Sequence, residues 1–194
     1  WELGACYFFV STVVGILGPK AGNDKIGKRA AVLQGIKMVQ GEQPDVFKRG
    51  SVTVLESWAT WCPPCVRSIP HLNEMYAKYQ EDDAHDVQFL GITSETDEAL
   101  VKRFIEARKD NMTYPVGIDA GGAFAATYPS AGIPNAYVVG RDGNISWVGH
   151  PMSGLDKAIA DALAKPVPSA YTSEFKKAEE TPAQRKPAGD KKNE

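Results

Sequence analysis

Apolar and polar residues follow patterns along this 194-residue chain that change from segment to segment, and each pattern predicts an element. Short runs of β-branched and aromatic residues bounded by turn formers predict strands, and apolar residues spaced three and four apart predict helices. The predicted strands are residues 36–39, 51–58, 87–93, 114–119, 136–139 and 145–148. The predicted helices are residues 62–79, about 94–105, 123–128 and 155–163.

The order of these elements predicts an α/β protein with a central mixed β-sheet flanked by helices. Crossover connections through helices make the first strands parallel, and the closing hairpin is antiparallel. Asp142-Gly143, between the last two strands, is a strong hairpin signal. Pro70 interrupts the first helix and predicts a kink there. Ser94, with Asp97 three residues later, resembles a capping box and predicts the start of the second helix.

The two ends of the chain lack these patterns. Residues 5–18 are an uncharged apolar run of about 14 residues, shorter than a membrane-spanning helix needs. We interpret this run as a truncated signal or anchor, with a buried strand or an extension as the alternatives. It favours an extracytoplasmic or membrane-anchored location over a cytoplasmic one. The predicted parts are an N-terminal segment and linker (1–34), a folded domain (35–164) and a disordered tail rich in Pro, Lys and Glu (165–194).

Composition and charge narrow the class of protein. The formal net charge of −2 argues against a nucleic-acid binder, which would carry a basic excess. Three cysteines in a chain of this length do not form a disulfide-stapled scaffold. Cys6 lies alone in the apolar run, where it acts as a small hydrophobic residue. Cys62 and Cys65 are spaced as a redox couple or as half of a metal site.

The segment Trp61-Cys62-Pro63-Pro64-Cys65 carries the candidate chemistry. A strand, a short turn and a helix place Cys62 at a helix N-terminus, where free N–H groups and the helix dipole lower the pKa of its thiol. We therefore expect Cys62 to be the exposed, attacking sulfur and the more buried Cys65 to resolve a mixed disulfide. Pro63 and Pro64 fit the first helical turn, and we expect them to tune the reduction potential.

Glu56 lies in the strand that leads to this segment, six positions before Cys62 and among apolar residues. A carboxyl buried there has a raised pKa and can take the proton from Cys65 when that thiol attacks. The alternative is a partly solvated edge glutamate with a structural partner.

Two segments resemble the TlpA/ResA-like branch of the thioredoxins. The first is Trp58-Ala59-Thr60-Trp61-Cys62-Pro63-Pro64-Cys65, followed by Ile69-Pro70-His71-Leu72. The second is Gly132-Ile133-Pro134-Asn135-Ala136-Tyr137-Val138-Val139, with Asp142-Gly143 and Gly149-His150-Pro151 after it. The resemblance covers about residues 35–164. It implies a thioredoxin fold in which residues 94–128 contain the extra helix and strand of this branch.

The resemblance also implies roles for single residues. Pro134 corresponds to the family's cis-proline, and the backbone of Ile133 would pair with an extended substrate segment. Trp61 would shield the cysteine pair, and Glu56 stands where thioredoxins carry a buried carboxylate. Some members have a glutamate three residues after the second cysteine; this chain has Ser68 there, so proton handling would rest on Glu56.

The function that follows is thiol–disulfide exchange with protein substrates, with the chain acting as a reductase. We expect a monomer that needs no organic cofactor and exchanges electrons with a redox partner protein. Three alternatives stay open. One is copper delivery through Cys62, Cys65 and His150, and another is a peroxiredoxin-like peroxidase. The third is a substrate-binding module that has lost its chemistry.

Overall fold

The structure, a computed structural model, describes residues 22–82 and 86–167. The strands are β1 (Lys37–Gln40), β2 (Val52–Ser57), β3 (Val87–Thr93), β4 (Val116–Ile118), β5 (Asn135–Val139) and β6 (Ile145–Gly149). The α-helices are α1 (Pro63–Gln80), α2 (Glu98–Glu106), α3 (Ala123–Thr127) and α4 (Leu155–Ala164). The predicted signal or anchor and nearly all of the predicted tail lie outside the described residues.

No helix within the described ranges has both the length and the apolar character required to cross a bilayer.

The six strands form one mixed sheet in the order β1-β4-β3-β2-β5-β6. Strands β2, β3 and β4 are parallel, and β5 and β6 are antiparallel, as the sequence predicts. The sequence predicted no partner for β1, which pairs antiparallel with β4 at the edge of the sheet.

Each face of the sheet has its own core. Helices α1, α2 and α4 pack on one face, which we call the redox face because it includes Cys62 and Cys65. Successive residues of β2 alternate between faces, so Val54 and Trp58 lie on the redox face and Leu55 on the other. The opposite face is covered by α3 and by residues 22–36, which we call the N-terminal arm.

The N-terminal arm is bonded to the sheet. Ala30 donates its backbone N–H to Gly143 at 3.0 Å, and Gly27 donates to Ile145 at 2.7 Å. The Ala31 backbone N–H donates to the Tyr128 hydroxyl at 2.9 Å, and that hydroxyl donates to the Ala31 carbonyl at 2.6 Å. The arm thus supplies a layer of the fold, although sequence patterns predict a linker for most of it.

Most element boundaries lie within two residues of the predicted ones, and α2 is the exception. This helix begins at Glu98, and its N-cap is Asp97, whose carboxylate accepts the backbone N–H of Leu100 at 2.9 Å. The prediction of a start at Ser94 was wrong. Aspartate is as good an N-cap as serine, and here it lies nearer the amphipathic residues. Pro70 lies inside α1.

Candidate active site

The cysteine pair lies at the start of α1. The two sulfurs are bonded, with Cα atoms 5.3 Å apart. Cys62 is the N-cap residue, and its sulfur accepts the backbone N–H of Cys65 at 3.2 Å. This contact places one of the unpaired N–H groups of the helix N-terminus directly on the sulfur. A thiolate at Cys62 would be stabilised by the same N–H and by the helix dipole.

Pro63 and Pro64 occupy the first two positions of α1 and are exposed. Neither has a backbone N–H, so Cys65 carries the first free N–H of the helix. That N–H has one acceptor nearby, the sulfur of Cys62. The two prolines therefore direct the first helical donor to the Cys62 sulfur.

The disulfide is more covered than the sequence suggested. Cys62 is only 4% exposed and Cys65 is fully buried. The expectation of an exposed Cys62 was therefore wrong for the disulfide form, although Cys62 is the less buried of the two. The loop before β5 covers it, because the carbonyl oxygen of Ile133 lies 3.8 Å from the Cys62 sulfur. Trp61 stands beside the pair and is 71% exposed.

The loop before β5 meets the cysteine segment because of the strand pairing. β5 runs antiparallel to β2, with Asn135 opposite Ser57. The Ile133–Pro134 bond just before β5 is cis, as the resemblance implies. A groove of about 620 Å³ opens beside this loop, and its lining includes Trp61, Ile133 and Leu100.

Glu56 lies in the central strand β2, between β3 and β5, and is 2% exposed. Its side chain leaves the sheet on the redox face, because it alternates with Leu55 and shares the side of Val54 and Trp58. Neither carboxylate oxygen has a hydrogen-bond partner among the described residues. Burial raises the pKa of Glu56 to about 8. The alternative of a partly solvated edge glutamate is therefore wrong.

Ser68 marks the departure from the family pattern, and the structure gives it a structural partner. Its hydroxyl donates to the carbonyl of Cys65 at 2.8 Å, and its side chain is buried. This position therefore supplies no carboxylate near the cysteine pair.

Sequence reasoning missed Glu95, which follows β3. Its carboxylate accepts the backbone N–H of Thr60 at 2.9 Å, the Thr60 hydroxyl at 2.5 Å and the Thr93 hydroxyl at 2.9 Å. These bonds tie the turn before Cys62 to the end of β3. A polar residue at the carboxyl end of a buried parallel strand was the available signal.

His150 was the third ligand of the copper alternative. Its Nδ1 accepts the backbone N–H of Met152 at 3.1 Å. Across residues 22–82 and 86–167, no three His, Cys, Asp or Glu side chains are grouped closely enough to hold a metal ion. His150 is therefore not brought together with Cys62 and Cys65.

Sequence reasoning also missed Tyr114, whose ring is buried on the redox face next to β4. Its hydroxyl is buried and has no hydrogen-bond partner among the described residues. The sequence offered no signal for it, because a tyrosine before a buried strand looks like an ordinary core residue.

The mixed sheet, the cysteine pair at the start of α1 and the cis-proline loop beside it define a thioredoxin-fold protein with a CxxC cysteine pair. The sequence profile of the AhpC/TSA family matches residues 34–148, and the chain belongs to this family.

Relatives with known names agree with this assignment. The chain is 31% identical over 97 residues to thiol-disulfide oxidoreductase ResA of Bacillus thuringiensis subsp. konkukian, covering 50% of this chain and 53% of ResA. It is 29% identical over 110 residues to sporulation thiol-disulfide oxidoreductase A of Bacillus subtilis, covering 57% and 66%. The chain thus spans about half to two thirds of these relatives' lengths. The predicted resemblance to the ResA-like branch is confirmed.

A solved structure gives the same picture of the fold. The crystal structure of StoA from Bacillus subtilis matches with a TM-score of 0.53 at 27% identity, over 63% of this chain and 91% of that one. The predicted thioredoxin fold is confirmed.

Proposed function

We propose that this chain is a thiol–disulfide oxidoreductase that exchanges disulfides with protein substrates through Cys62 and Cys65, acting as a reductase. The observation that carries the proposal is the contact between the Cys65 backbone N–H and the Cys62 sulfur at the N-terminus of α1. This contact favours a thiolate on Cys62, which is the nucleophile that disulfide exchange requires. The names of the relatives support the same activity.

In the first step, the Cys62 thiolate of the reduced protein attacks one sulfur of a substrate disulfide. The substrate S–S bond breaks, a mixed disulfide with Cys62 forms, and the other substrate sulfur leaves as a thiolate. In the disulfide form, the product of the reaction, the N–H of Cys65 lies beside the same sulfur.

In the second step, Cys65 attacks the Cys62 sulfur and must first lose its proton. We assign the proton acceptor as Glu56, which lies on the same face of the sheet. The pKa of Glu56, about 8, is close to that of an ordinary thiol, about 8.5, so the proton can pass in either direction. The Cys62–Cys65 disulfide forms, and the second substrate thiolate is released. The substrate is reduced by two electrons and the protein is oxidised by two.

The substrate docks beside the cis-proline loop. The backbone of Ile133 pairs with an extended substrate segment, with Pro134 fixing the loop and Trp61, Pro63 and Pro64 forming the adjoining surface. The groove beside Trp61 and Ile133 has room for side chains that flank the substrate cysteine. Electrons come from the thiols of a redox partner protein, and no organic cofactor takes part.

Cysteine substitutions test the proposal in insulin disulfide reduction. Cys62→Ser removes the nucleophile, so we expect turnover to be lost. Cys65→Ser leaves the nucleophile but removes the resolving thiol, so we expect mixed disulfides to accumulate, detected as a mass increase on non-reducing analysis. Cys6→Ser is the matched control and should retain turnover, because the redox pair stays intact. Turnover by Cys62→Ser at the level of the unsubstituted protein would contradict the mechanism.

The reduction potential of the pair tests the direction. Equilibration in dithiothreitol or glutathione buffers, followed by alkylation and mass analysis, measures it. A value near that of thioredoxin, about −270 mV, supports a reductase, whereas a value of about −120 mV would indicate a disulfide donor. Peroxide consumption and metal content, measured on the same preparation, test the peroxidase and copper alternatives.

A further inference from the structure

A cluster of buried polar side-chain atoms, which we call the polar pocket, lies on the redox face over Gly91 of β3. Gly91 is the register partner of Glu56 in the neighbouring strand β2. A Cβ atom built on Gly91 would lie 3.0 Å from Cε2 of Tyr114 and 3.2 Å from Nε1 of Trp58. Cε2 is next to the carbon that carries the tyrosine hydroxyl. The hydroxyl end of Tyr114 and the indole N–H of Trp58 therefore both border the position over Gly91.

Glu56 faces the same space. Paired residues of adjacent parallel strands direct their side chains to the same side of the sheet, so Glu56 leaves the sheet beside the position over Gly91. The strands are about 4.8 Å apart, which is within the reach of a glutamate side chain. Burial and, to a lesser extent, the charge of Glu56 raise the pKa of Tyr114, and the second cause agrees with this proximity.

The polar atoms of this pocket are buried and, among the described residues, have no hydrogen-bond partner. They are both carboxylate oxygens of Glu56, the hydroxyl of Tyr114 and Nε1 of Trp58. Indole N–H is only a donor, the tyrosine hydroxyl donates and accepts, and an ionised carboxylate only accepts. The donors and the acceptor are complementary, and a buried polar group without a partner is costly.

We propose that Tyr114 is a positioning residue for Glu56, and that its hydroxyl, assisted by the Trp58 N–H, donates a hydrogen bond to the ionised Glu56 carboxylate, the form that then accepts the Cys65 proton. The inference rests on the proposed function, because it assigns a partner to the proton acceptor of the second step.

The protonation state of Glu56 explains why the donors are needed. Burial alone favours the neutral acid in the disulfide form, and the neutral acid does not require a strong donor. An ionised carboxylate in the same place does, and hydrogen bonds to a charged acceptor are roughly twice as strong as neutral ones.

In the disulfide form, the hydrogen-bond donors that the described residues place around Glu56 are the Tyr114 hydroxyl and the Trp58 N–H. On α1, Cys65 is held in the disulfide. The ring of Tyr76, also on α1, packs edge-on against that of Tyr114, with the ring centroids 6.4 Å apart. From β5, the residue opposite Glu56 is Ala136. The other buried carboxylate of the described residues is Asp119, which accepts the backbone N–H of Ala125 in α3, on the opposite face.

The test is a pH titration of Glu56 in the full chain with the disulfide intact, so that neither cysteine titrates. NMR of labelled glutamate carboxyl carbons follows the ionisation, and Glu56→Gln assigns the signal. We expect Tyr114→Phe to raise the pKa of Glu56 by about one unit, because it removes a donor to the charged form and keeps the ring. Replacing tyrosine by 3-fluorotyrosine, a stronger donor, should lower it.

Tyr76→Phe is the matched control. It also removes a hydroxyl from an aromatic ring of this cluster, and the pKa of Glu56 should stay unchanged. An unchanged or lowered pKa of Glu56 in Tyr114→Phe overturns the proposal, as does an equal rise in Tyr76→Phe. If Tyr114→Phe does not fold, the 3-fluorotyrosine protein decides: a lowered pKa supports the proposal and any other result overturns it.

A kinetic measurement links the pocket to the reaction. If the pKa of Glu56 rises by about one unit, its carboxylate fraction at neutral pH falls about tenfold, and attack of Cys65 on a preformed mixed disulfide should slow by up to that factor. The titration does not depend on turnover. If the unsubstituted protein fails to reduce insulin, the proposed function fails, while the pKa of Glu56 still tests the role of Tyr114.

Discussion

Glu56 has a costly environment, because a fully desolvated carboxyl has no partner among the described residues. Such a site is tolerated in a fold when the group is neutral or when it serves chemistry. Its raised pKa of about 8 means that the folded protein holds a proton that the unfolded chain releases near pH 4.5. Stability and catalysis are therefore linked through one proton.

This linkage makes stability fall as the pH rises. Between the unfolded pKa of 4.5 and the folded pKa of about 8, the native state binds one proton more than the unfolded chain, so the free energy of unfolding drops by about 1.4 kcal/mol per pH unit. Glu56→Gln removes this term. We expect the free energy of unfolding of this variant, taken relative to that of the unsubstituted protein, to rise by about 3 kcal/mol from pH 5 to pH 7.5. Urea unfolding of the disulfide form measures this difference.

Glu106→Gln is the control for that experiment, because Glu106 is an exposed glutamate on α2. The free energy of unfolding of this variant should change with pH by the same amount as that of the unsubstituted protein over the same range. If that of Glu56→Gln also changes by the same amount, the folded carboxyl is not protonated as burial predicts, and the assignment of Glu56 as a proton acceptor with a raised pKa is contradicted.

At this scale, residue chemistry and spacing predicted the pair Cys62 and Cys65. The cis bond before Pro134 was expected from the family resemblance. Tyr114 and Glu95 were not. Their positions near the site depend on which strands are neighbours. The local pattern around Tyr114 is that of an ordinary core residue, and the signal for Glu95 was only its place at the end of a buried strand.

At the scale of elements, hydrophobic periodicity located the strands and helices well because each element buries one face. Strand β3 was predicted at its observed bounds, since every residue from Val87 to Thr93 except Gln88 is buried and the flanks are polar. The partner of β1 could not be predicted, because a short half-buried strand carries no information about which edge it joins.

Gly91 shows how one position in an element supports the site. We expect Gly91→Ala to destabilise the protein by about 1–3 kcal/mol, because the new Cβ would meet ring atoms of Tyr114 and Trp58 within 3.2 Å in a packed core. Gly121→Ala is the matched control, since a Cβ there meets nothing within 4 Å. Urea unfolding measures both. Equal effects of the two substitutions would contradict the close packing over Gly91.

At the scale of the molecule, the two faces of the sheet have different roles. The redox face holds the cysteine pair, Glu56 and the helices that position them. The opposite face is completed by the N-terminal arm, whose Ala30 and Leu33 are buried against the sheet and α3. The arm was missed in the sequence because its apolar residues are few and follow neither the helical nor the strand period. We propose that the folded domain begins before residue 35, and that the arm stabilises it without entering the chemistry.

Neighbouring residues of the arm allow a direct test of this division. Leu33 is 6% exposed and Val32 is 47% exposed. We expect Leu33→Ala to lower the free energy of unfolding by about 2–5 kcal/mol, since it deletes a buried side chain, and Val32→Ala to change it by less than about 0.5 kcal/mol. Both variants should reduce insulin at the unsubstituted rate below their unfolding transitions, because neither touches the redox face. A loss of turnover in folded Leu33→Ala would mean that the arm acts on the cysteine pair through the sheet. Equal stability of the two variants would mean that the arm is not part of the folded domain.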